Sequence, residues 1–386
     1  MGLYEELGIR KVINASGTMT HLGGSIPDPR VMDAMKEASQ SFVVMMELIE
    51  RSGKVVAKVT GAEAGLVTSG SSAAMVLGAA ACIMKGCELE KFEARPFERL
   101  NFDQDWCDVI QKLPDTSWAR NEIIIQRAHR NAYDHAYKVA GGKLVVVGTS
   151  EGCSPVELED AISDRTAAIA FTGNNEDIGV PLRKVVEIAC RHNVPVIVDA
   201  AAELPPRSNL KRYISEGADL VVFSGGKHIG GPNATGILCG RRDLIKLATL
   251  QSAPYRGIGR GMKVDRASIV GMITALRIWL EKDEKAEFEG WKEKARWIAD
   301  ELKGTKGVAN SEIVVDKRGR YAQAHVTLKR GDPATANAVL NLRKGNPSIW
   351  VNYISPNKIG VEPSLLRDGE EKILVSALKR AISEES

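Results

Sequence analysis

The stretch Asp219-Leu220-Val221-Val222-Phe223-Ser224-Gly225-Gly226-Lys227-His228-Ile229-Gly230-Gly231-Pro232 joins an apolar run to a glycine-rich loop. The apolar run predicts a buried strand, which delivers Ser224 and Lys227 into a loop with almost no side-chain bulk. A lysine in that setting is a candidate for Schiff-base chemistry, because desolvation lowers the pKa of its amine. A surface lysine in a flexible loop is the ordinary alternative, and this stretch alone leaves it open.

Short β-branched runs of this kind alternate with helical patterns through the middle of the chain. The strand candidates are Gly65–Val67, Glu122–Gln126, Lys143–Val147, Thr166–Phe171, Pro195–Asp199, Leu220–Ser224 and Gly236–Cys239. Several are apolar on both faces, which suits strands covered by helices on each side. The alternation therefore predicts an α/β domain with a mainly parallel sheet. The continuously apolar stretch from Ala73 to Met84 predicts a buried core helix rather than a membrane span.

The pattern changes towards the C-terminal part of the chain. Val264–Lys303 predicts one long helix or two joined helices, and the segments after Gly304 predict a small α+β domain. We therefore predict an N-terminal segment over residues 1–44 and a large domain over 45–262. Residues 263–386 are predicted to form a connecting helix and the small C-terminal domain. The polar insertion Cys87–Asn121 is predicted to be a surface loop near the cleft.

Composition and spacing exclude several classes of protein. Lys and Arg total 52 against 49 Asp and Glu, and this balance gives no electrostatic argument for a dedicated nucleic-acid binder. The six cysteines lack paired C-x-x-C spacing, and the histidines lack the spacing of metal ligands. We therefore predict no disulfide framework, no metal site and a reducing, cytoplasmic location. The acidic start does not suit a secretory signal, and no membrane partner is expected.

Two further stretches have the chemistry to complete a site with Lys227. A hydrophobic strand ends in Asp199, where a carboxylate can pair with a pyridinium nitrogen, and the small Ala201 leaves room for a flat ring. The turn Gly70-Ser71-Ser72 stands before a helix, where free backbone N–H groups hold phosphates. Taken singly, these are an ordinary strand-end acid and an ordinary helix cap. Together, in this chain order, they are the pattern expected of a pyridoxal-phosphate site.

The order of phosphate turn, strand-end Asp and Ser-x-x-Lys resembles the fold-type I pyridoxal-phosphate enzymes, the aspartate-aminotransferase-like group. Within that group the chain is similar to the selenocysteine synthase (SelA)-like branch. The stretches that carry this likeness are Val12-Ile13-Asn14-Ala15-Ser16-Gly17, Thr60-Gly61-Ala62-Glu63-Ala64, Val67-Thr68-Ser69-Gly70, Lys227-His228-Ile229-Gly230-Gly231-Pro232-Asn233 and Gly259-Arg260-Gly261-Met262-Lys263-Val264. Two more, Leu113-Pro114-Asp115-Thr116 and Arg127-Ala128-His129-Arg130-Asn131-Ala132-Tyr133-Asp134, resemble the D-glucosaminate-6-phosphate ammonia-lyase-like members.

The resemblance implies an aspartate-aminotransferase-like large domain with a mainly parallel seven-stranded sheet, a small α+β domain and pyridoxal 5'-phosphate as cofactor. It implies that Lys227 binds the cofactor covalently and that Asp199 binds the pyridine nitrogen. His129 would complete the catalytic set by stacking on the ring face opposite Ala201, although a helix-start or surface histidine is the plain alternative. Ser224, with the turn at Gly70, Ser71 and Ser72, would hold the phosphate.

Cationic residues elsewhere are candidates for binding the cofactor or the substrate. Arg260 and Lys263 lie in a glycine-rich turn from which they could reach a phosphate, either in their own chain or across a dimer interface, although solvated surface charges are a serious alternative. Arg343 and Arg367 are candidates for the substrate carboxylate, because Arg grips carboxylates through two hydrogen bonds. A structural role is at least as good an interpretation of those two.

The resemblance implies a lyase acting on a small hydroxy amino acid or an amino sugar acid, such as D-glucosaminate 6-phosphate. Loss of the β-hydroxyl and of ammonia would give a 2-keto acid. An amino-acid racemase or epimerase stays open, as does a selenocysteine synthase-like transferase acting on seryl-tRNA. A tRNA partner is not favoured at a net charge of +3. A homodimer or larger symmetric homo-oligomer is expected.

Overall fold

Residues 2–91 and 107–385 are described by the computed structural model, and their contacts divide them into two units. The large unit spans Ile26–Leu280, and the small unit combines residues 2–25 with 281–385. Twelve strands are present in the described ranges: β1 Val12–Ala15, β2 Ala64–Thr68, β3 Glu122–Gln126, β4 Lys143–Val147, β5 Thr166–Thr172, β6 Val196–Asp199, β7 Leu220–Ser224, β8 Gly236–Gly240, β9 Val308–Val315, β10 Ala322–Leu328, β11 Ser348–Ser355 and β12 Lys358–Val361.

Helices separate most of these strands. The α-helices are α1 Leu3–Glu6, α2 Pro29–Ser39, α3 Met45–Thr60, α4 Ser71–Met84, α5 Cys107–Ile110, α6 His135–Val139, α7 Pro155–Asp160, α8 Leu182–Arg191, α9 Asn209–Ser215, α10 Arg242–Gln251, α11 Arg266–Glu281, α12 Glu284–Leu302, α13 Ala334–Lys344 and α14 Glu370–Glu384. Short 3-10 helices cover Thr20–Leu22, Glu88–Lys91, Arg127–His129, Ala132–Asp134, Gly173–Asn175 and Pro363–Leu365. Within the described residues, no helix combines the length and the apolar character needed to cross a bilayer.

The large unit is built on a seven-stranded sheet in the order β2-β8-β7-β6-β5-β3-β4. Neighbouring strands from β7 to β4 pair in parallel, and β8 runs antiparallel to both β7 and β2. Every residue of β5, β6 and β8 is buried, as expected for strands with helices on both faces. The prediction of an α/β fold with a mainly parallel sheet is confirmed.

The helix α4 fills the centre of the large unit. All residues from Ala73 to Met84 are buried, which confirms the prediction of a core helix. Its small side chains let it lie close to the sheet: a Cβ at Gly78 would stand 3.5 Å from both Leu220 Cδ1 and Leu238 Cδ1. The N-terminus of α4 is thereby fixed at the end of β2, which is where the predicted phosphate turn lies.

The small unit has a five-stranded sheet in the order β1-β11-β12-β10-β9. Its helix-covered core includes buried residues of α12, α13 and α14, such as Ile298, Leu342 and Leu378. Along β10, buried and half-buried residues alternate, so one face of the sheet packs on this core. The edge strand β1 pairs in parallel with β11, from Val12 opposite Ser348 to Ala15 opposite Val351.

The limits of the units differ from the predicted domain boundaries at 44 and 262. Residues 2–25 group with the C-terminal part of the chain, because β1 is a strand of the small sheet. The predicted connecting helix is two helices, and Asp283 begins the second by accepting the backbone N–H of Ala286 at 3.0 Å. The first, α11, belongs to the large unit, where Met272 and Leu276 are fully buried.

The insertion Cys87–Asn121 is only partly described, and residues 92–106 lie outside the described ranges. In its described parts Leu89, Ile110 and Leu113 are buried in the core of the large unit. The Ile110 carbonyl accepts a hydrogen bond from Gln251 Nε2 at 3.1 Å. The expectation of a surface loop is therefore wrong for these positions, because their apolar side chains pack against the core.

Candidate active site

The carboxyl ends of β5, β6 and β7 meet at one edge of the large sheet. Thr172 at the end of β5 lies opposite Asp199 at the end of β6, and Asp199 in turn lies opposite Val222 of β7. Ser224 ends β7, and the chain continues into residues 225–233, here called the lysine loop. Parallel sheets place ligands at this edge. The strand-end acid and the loop that carries Lys227 are thus brought together as predicted.

Asp199 is a buried acid, with 8% of its surface exposed. Its Oδ1 accepts the backbone N–H of Ala201 at 3.0 Å, which fixes the orientation of the carboxyl group. Burial raises the pKa of Asp199, while the Ala201 hydrogen bond and the charge of Lys227 oppose that rise. A buried carboxyl group with one oxygen already bonded is suited to accept one further proton donor, such as a ring N–H.

Lys227 is half-buried in the lysine loop. Burial lowers the pKa of its amine, and the negative charges of Asp199 and Glu203 act against that lowering. The loop is closed by hydrogen bonds from Gly230 N to the Lys227 carbonyl and from Gly231 N to the Gly225 carbonyl, each 2.9 Å long. A partly desolvated amine on a rigid loop is the setting in which lysine becomes a nucleophile or a base.

The glycines of the lysine loop are required by its packing. A Cβ at Gly225 would stand 2.3 Å from Thr235 Oγ1 and 2.4 Å from Met272 Sδ. A Cβ at Gly226 would stand 2.6 Å from Asn233 Cα. Real Cβ atoms do not approach so closely, so the loop folds back on itself and on α11 only because these side chains are absent.

The turn Gly70-Ser71-Ser72 begins the buried helix α4. Gly70 is the N-cap residue with φ 136°, and its carbonyl accepts the Ala74 N–H at 3.0 Å and the Thr68 hydroxyl at 2.9 Å. The first N–H groups of a helix have no partner within it, and they carry the positive end of the helix dipole. This turn therefore offers N–H donors and two serine hydroxyls to an anion.

Gly236 connects the turn to the end of β7. It lies opposite Thr68 on β2 and opposite Ser224 on β7. A Cβ at Gly236 would stand 2.5 Å from Gly70 C and 2.6 Å from Ser71 N, so β8 lies directly against the turn. Ser224 and the turn at Gly70–Ser72 are therefore close neighbours, as the sequence predicted for a shared phosphate site.

His129 is fully buried, so the surface alternative is wrong. Its Nδ1 accepts the Thr172 backbone N–H at 3.1 Å, and its Nε2 then donates to the Ile178 carbonyl at 3.0 Å. Burial lowers the pKa of the imidazole, which keeps the ring neutral. With both nitrogens occupied by the backbone, His129 has no nitrogen left for proton transfer. Its ring remains suited to the predicted stacking role.

Arg260 is exposed in the stretch of residues 255–263, here called the cationic segment. The segment is tied to the phosphate turn, because Ser69 Oγ donates to the Met262 carbonyl at 2.8 Å. Two of its glycines are buried: a Cβ at Gly257 would stand 2.4 Å from Gln251 Oε1, and one at Gly259 would stand 2.6 Å from Leu77 Cδ2. The backbone at Gly257 and Gly259 is thus packed in the core, while the cationic side chains of Arg256, Arg260 and Lys263 are exposed.

Arg343 and Arg367, the candidates for the substrate carboxylate, both belong to the small unit. The guanidinium of Arg343 lies over the Trp350 ring at 4.3 Å, and its Nε is buried without a hydrogen-bond partner among the described residues. Arg367 is exposed just before α14, where its backbone N–H donates to Glu370 Oε2 at 2.9 Å. A role in substrate binding stays a prediction for both.

Sequence reasoning missed Glu203, which is 1% exposed and acts electrostatically on Lys227. The available signal was an acid in the otherwise apolar stretch Ala200-Ala201-Ala202-Glu203-Leu204. Buried acids are rare unless they are paired or functional. It also missed Thr172, whose N–H and hydroxyl both bind His129.

A cavity of about 500 Å³ lies apart from these residues. It is lined by α3, α10 and the side chain of Tyr255, with Ile49 and Leu250 among its apolar residues and Glu50 and Lys246 among its charged ones. None of the predicted site residues lines it. This cavity is therefore separate from the residues predicted to form the active site.

The side chains at the sheet edge suit a phosphorylated pyridine aldehyde. The helix N-terminus with Ser224 provides phosphate donors, Asp199 provides a buried acceptor for a ring N–H, and Lys227 provides a desolvated amine for the aldehyde. The chemistry of this donor set fits pyridoxal phosphate.

Comparisons with known proteins identify the family of the chain. The family model "SelA: L-seryl-tRNA selenium transferase" matches residues 133–289. A 5'-C-glycyluridine monooxygenase-decarboxylase from Streptomyces sp is 31% identical over 96% of this chain and 90% of its own. A D-glucosaminate-6-phosphate ammonia lyase from Salmonella typhimurium is 28% identical over 98% of this chain and 97% of its own.

Solved structures give the same result. A D-glucosaminate-6-phosphate ammonia-lyase superposes with a TM-score of 0.82 at 28% identity, covering 100% of this chain and 99% of the other. The Sphingomonas wittichii serine palmitoyltransferase superposes at 0.61 with 14% identity over 97% of this chain and 88% of its own, which shows the shared fold. The chain therefore belongs to the SelA-like family of fold-type I pyridoxal-phosphate enzymes.

Proposed function

We propose that the protein is a pyridoxal-phosphate-dependent ammonia-lyase. Its substrate is a small hydroxy amino acid or an amino sugar acid such as D-glucosaminate 6-phosphate, and its products are a 2-keto acid and ammonia, because the water lost with the β-hydroxyl is taken up again in the final hydrolysis. The observation that carries this proposal is the nearly full-length likeness to an ammonia-lyase in sequence and in structure, with a TM-score of 0.82. The desolvated lysine beside a buried acid supports the same chemistry.

Lys227 has two roles in this proposal. It binds the cofactor until the substrate amine takes its place, and its freed Nζ then removes the proton from the substrate α-carbon. Burial lowers the pKa of Lys227, which favours the neutral amine that both roles require. The proton on Nζ can afterwards pass to the departing β-hydroxyl, which leaves as water. The dehydrated product then hydrolyses to the keto acid and ammonia.

The other residues hold the cofactor in place. Asp199 accepts a hydrogen bond from the ring nitrogen and keeps it protonated, with its carboxyl group oriented by the Ala201 N–H. Ser224 and the turn at Gly70–Ser72 bind the phosphate, and the neutral ring of His129 covers one face of the cofactor. Pyridoxal phosphate, when bound, supplies the electron-withdrawing ring that stabilises negative charge at the substrate α-carbon.

The direct test is a substrate screen with the purified protein. D-Glucosaminate 6-phosphate, unphosphorylated D-glucosaminate and both enantiomers of serine are incubated separately, and ammonia and keto acid are measured in parallel. We expect equal amounts of both products from at least one of these compounds, and none with Lys227→Ala. A change of optical rotation without release of ammonia would instead identify a racemase or epimerase and contradict the proposal.

A second candidate is an oxidative decarboxylation of a glycyl nucleoside. It is favoured by the Streptomyces relative, which is 31% identical and is named as a monooxygenase-decarboxylase of 5'-C-glycyluridine. The same screen separates the two functions when it includes this nucleoside and records oxygen uptake and carbon dioxide release. Consumption of oxygen without ammonia release from any hydroxy amino acid would favour this second candidate.

We also propose a homodimer, or a larger symmetric assembly, in which the cationic segment contributes to the partner's site. The support is that Arg260 and Lys263 point outwards from a backbone that is tied to the phosphate turn through Ser69. Mixing inactive Arg260→Ala with inactive Lys227→Ala is expected to restore part of the activity, because a hybrid dimer has one site with both residues intact. A fully active monomer in sedimentation, or no rescue despite subunit exchange, would count against the shared site.

A further inference from the structure

The segment between α2 and α3 exposes three consecutive apolar side chains. Phe42 is 98% exposed, Val43 is 50% exposed and Val44 is 41% exposed. Soluble proteins commonly scatter single apolar residues over their surface, whereas a contiguous exposed group marks a place of contact with another molecule. An aromatic side chain that makes almost no contact with its own chain is the strongest sign of this kind.

The backbone that leads into this segment is anchored by Arg266 at the start of α11. The Nε of Arg266 donates to the Ala38 carbonyl at 3.1 Å, and its Nη2 donates to the Ser39 carbonyl at 2.8 Å. The same guanidinium lies 5.7 Å from the centre of the Phe42 ring. Phe42 is therefore presented from an anchored turn, and a rigid aromatic side chain loses little conformational freedom on binding.

The cavity of about 500 Å³ between α3 and α10, here called the α3 cavity, begins at the same end of α3. Met46 stands four residues after Phe42 and is the first α3 residue that lines it, and the lining continues along the helix to Ala57. The buried part of the lining is apolar or aromatic and includes Ile49, Ile245, Leu250 and Tyr255. A projecting aromatic side chain and an apolar recess thus lie side by side.

Charged side chains of both signs surround the opening of the α3 cavity. The exposed acids are Glu47, Glu50 and Glu63, and the exposed cations are Arg51, Lys54 and Arg242. In a two-fold symmetric contact a surface faces its own copy, so a rim of one sign would repel itself. A rim with both signs permits that contact, and an apolar centre within a polar rim is the usual anatomy of a protein interface.

Tyr255 connects the α3 cavity with the subunit contact proposed above. It lines the cavity, and it is also the first residue of the cationic segment, whose Arg260 is proposed to enter the partner's site. A second copy of the chain seated on the cavity is therefore adjacent to that segment. This continuity, together with the mixed charges of the rim, indicates a second copy as the occupant.

We propose that this surface is the interface of a two-fold symmetric dimer, in which Phe42 of each protomer enters the α3 cavity of the other. Two identical contacts form at once, because the side chain and the cavity of one protomer each meet their counterpart across the symmetry axis. The buried aromatic side chain is the anchor at the centre of the interface. The inference rests on the proposed homodimer for its occupant and is independent of the proposed chemistry.

The first test measures the dissociation constant of the dimer by sedimentation equilibrium, with the purified protein loaded with pyridoxal phosphate. Phe42→Ser is expected to raise it about tenfold for each of the two lost contacts, or about 100-fold in all. Because Phe42 is 98% exposed, the far-ultraviolet circular dichroism of the protein should not change. Val156→Ser, which removes a 66% exposed side chain from α7, is the matched control and should dimerise like the wild type.

The second test asks whether Phe42 and the α3 cavity meet each other. Ala57→Phe adds a large side chain to the wall of the cavity, so this variant should also dimerise weakly. In a mixture with Phe42→Ser, one contact is restored, because Phe42 of one chain enters the unfilled cavity of the other. With one chain isotopically labelled, native mass spectrometry should show the hybrid dimer forming at least about tenfold more tightly than either variant alone.

The outcomes separate this inference from the proposed homodimer. A Phe42→Ser protein that dimerises like the wild type overturns the inference and leaves the homodimer standing, as does a mixture without preference for the hybrid. A monomeric wild-type protein overturns both and assigns the α3 cavity to another ligand. If Ala57→Phe does not fold, photo-cross-linking from a benzophenone at position 42 decides: adducts confined to its own chain contradict the proposal. Release of ammonia tests the lyase chemistry separately from all of these results.

Discussion

Replacing Gly236 with Ala is expected to weaken cofactor binding, because Gly236 packs against the turn that would hold the phosphate. The new Cβ would stand 2.5 Å from Gly70 C and 2.6 Å from Ser71 N, which are backbone atoms and cannot rotate away. Ordinary contacts begin at 3.4 Å, so the turn must move by about 0.9 Å. Overpacking of this kind costs about 1–3 kcal/mol.

The strain is relieved most easily by displacing the turn at Gly70–Ser72, whose N–H groups are then misplaced for the phosphate. Since about 1.4 kcal/mol corresponds to a tenfold change in an equilibrium constant, the affinity for pyridoxal phosphate should fall about 5- to 150-fold. The assay is titration of the cofactor into apo-protein, followed by absorbance, with thermal unfolding measured alongside.

Gly78→Ala is the matched control for this change. Its Cβ would meet Leu220 and Leu238 at 3.5 Å, an ordinary contact, and it lies inside the helix α4. Replacing a helical Gly by Ala adds about 0.5–1 kcal/mol of stability, so this variant should unfold at a higher temperature and bind the cofactor normally. A Gly236→Ala protein with wild-type affinity and wild-type unfolding temperature would refute the reasoning.

Three other predictions concern the site residues directly. The purified protein should be yellow, and reduction with borohydride should attach the cofactor to Lys227; an adduct on another lysine in the peptide map would contradict the assignment. Asp199→Asn should still bind the cofactor but lose most activity, because an amide does not keep the ring nitrogen protonated; near wild-type turnover would mean that Asp199 is not its partner. Burial lowers the pKa of His129 below the value of the unfolded chain, so stability should fall as the pH drops below about 6.5, where only the unfolded state gains this proton. Denaturant unfolding at a series of pH values checks this, and a His129→Asn protein with the same acid dependence would contradict it.

The strands of the large sheet could be predicted almost residue by residue. Glu122–Gln126, Lys143–Val147 and Leu220–Ser224 agree with the structure at both ends. Their runs are apolar on both faces and are bounded by polar or glycine residues, so the local pattern and the tertiary environment indicate the same element. The N-terminal strand β1 was missed because its four residues are stabilised by pairing with β11, a partner that no local pattern reveals.

The candidate site likewise has residues that the sequence predicts and residues that it does not. Asp199, Lys227 and the turn at Gly70 stand at strand ends and turns with recognisable local patterns, and the sheet brings them together as predicted. The neutral state of His129 could not be predicted, because it depends on the backbone of Thr172 and Ile178 on distant segments. Glu203 was missed because a single acid among alanines is not recognisable as a residue of the site until its burial is known.

Because β1 pairs in parallel with β11, the two sheets are completed in a fixed order during synthesis on the ribosome. Val12–Ala15 leaves the exit tunnel early, yet its partner Ser348–Val351 is made only after the whole large unit. At roughly 5–20 residues per second, β1 waits tens of seconds with its edge unpaired. The large unit has its own sheet and core and can fold during that wait, whereas the small sheet is closed last. The nascent chain therefore carries an open strand edge while the residues between β1 and β11 are made, the kind of surface that chaperones protect from wrong pairing.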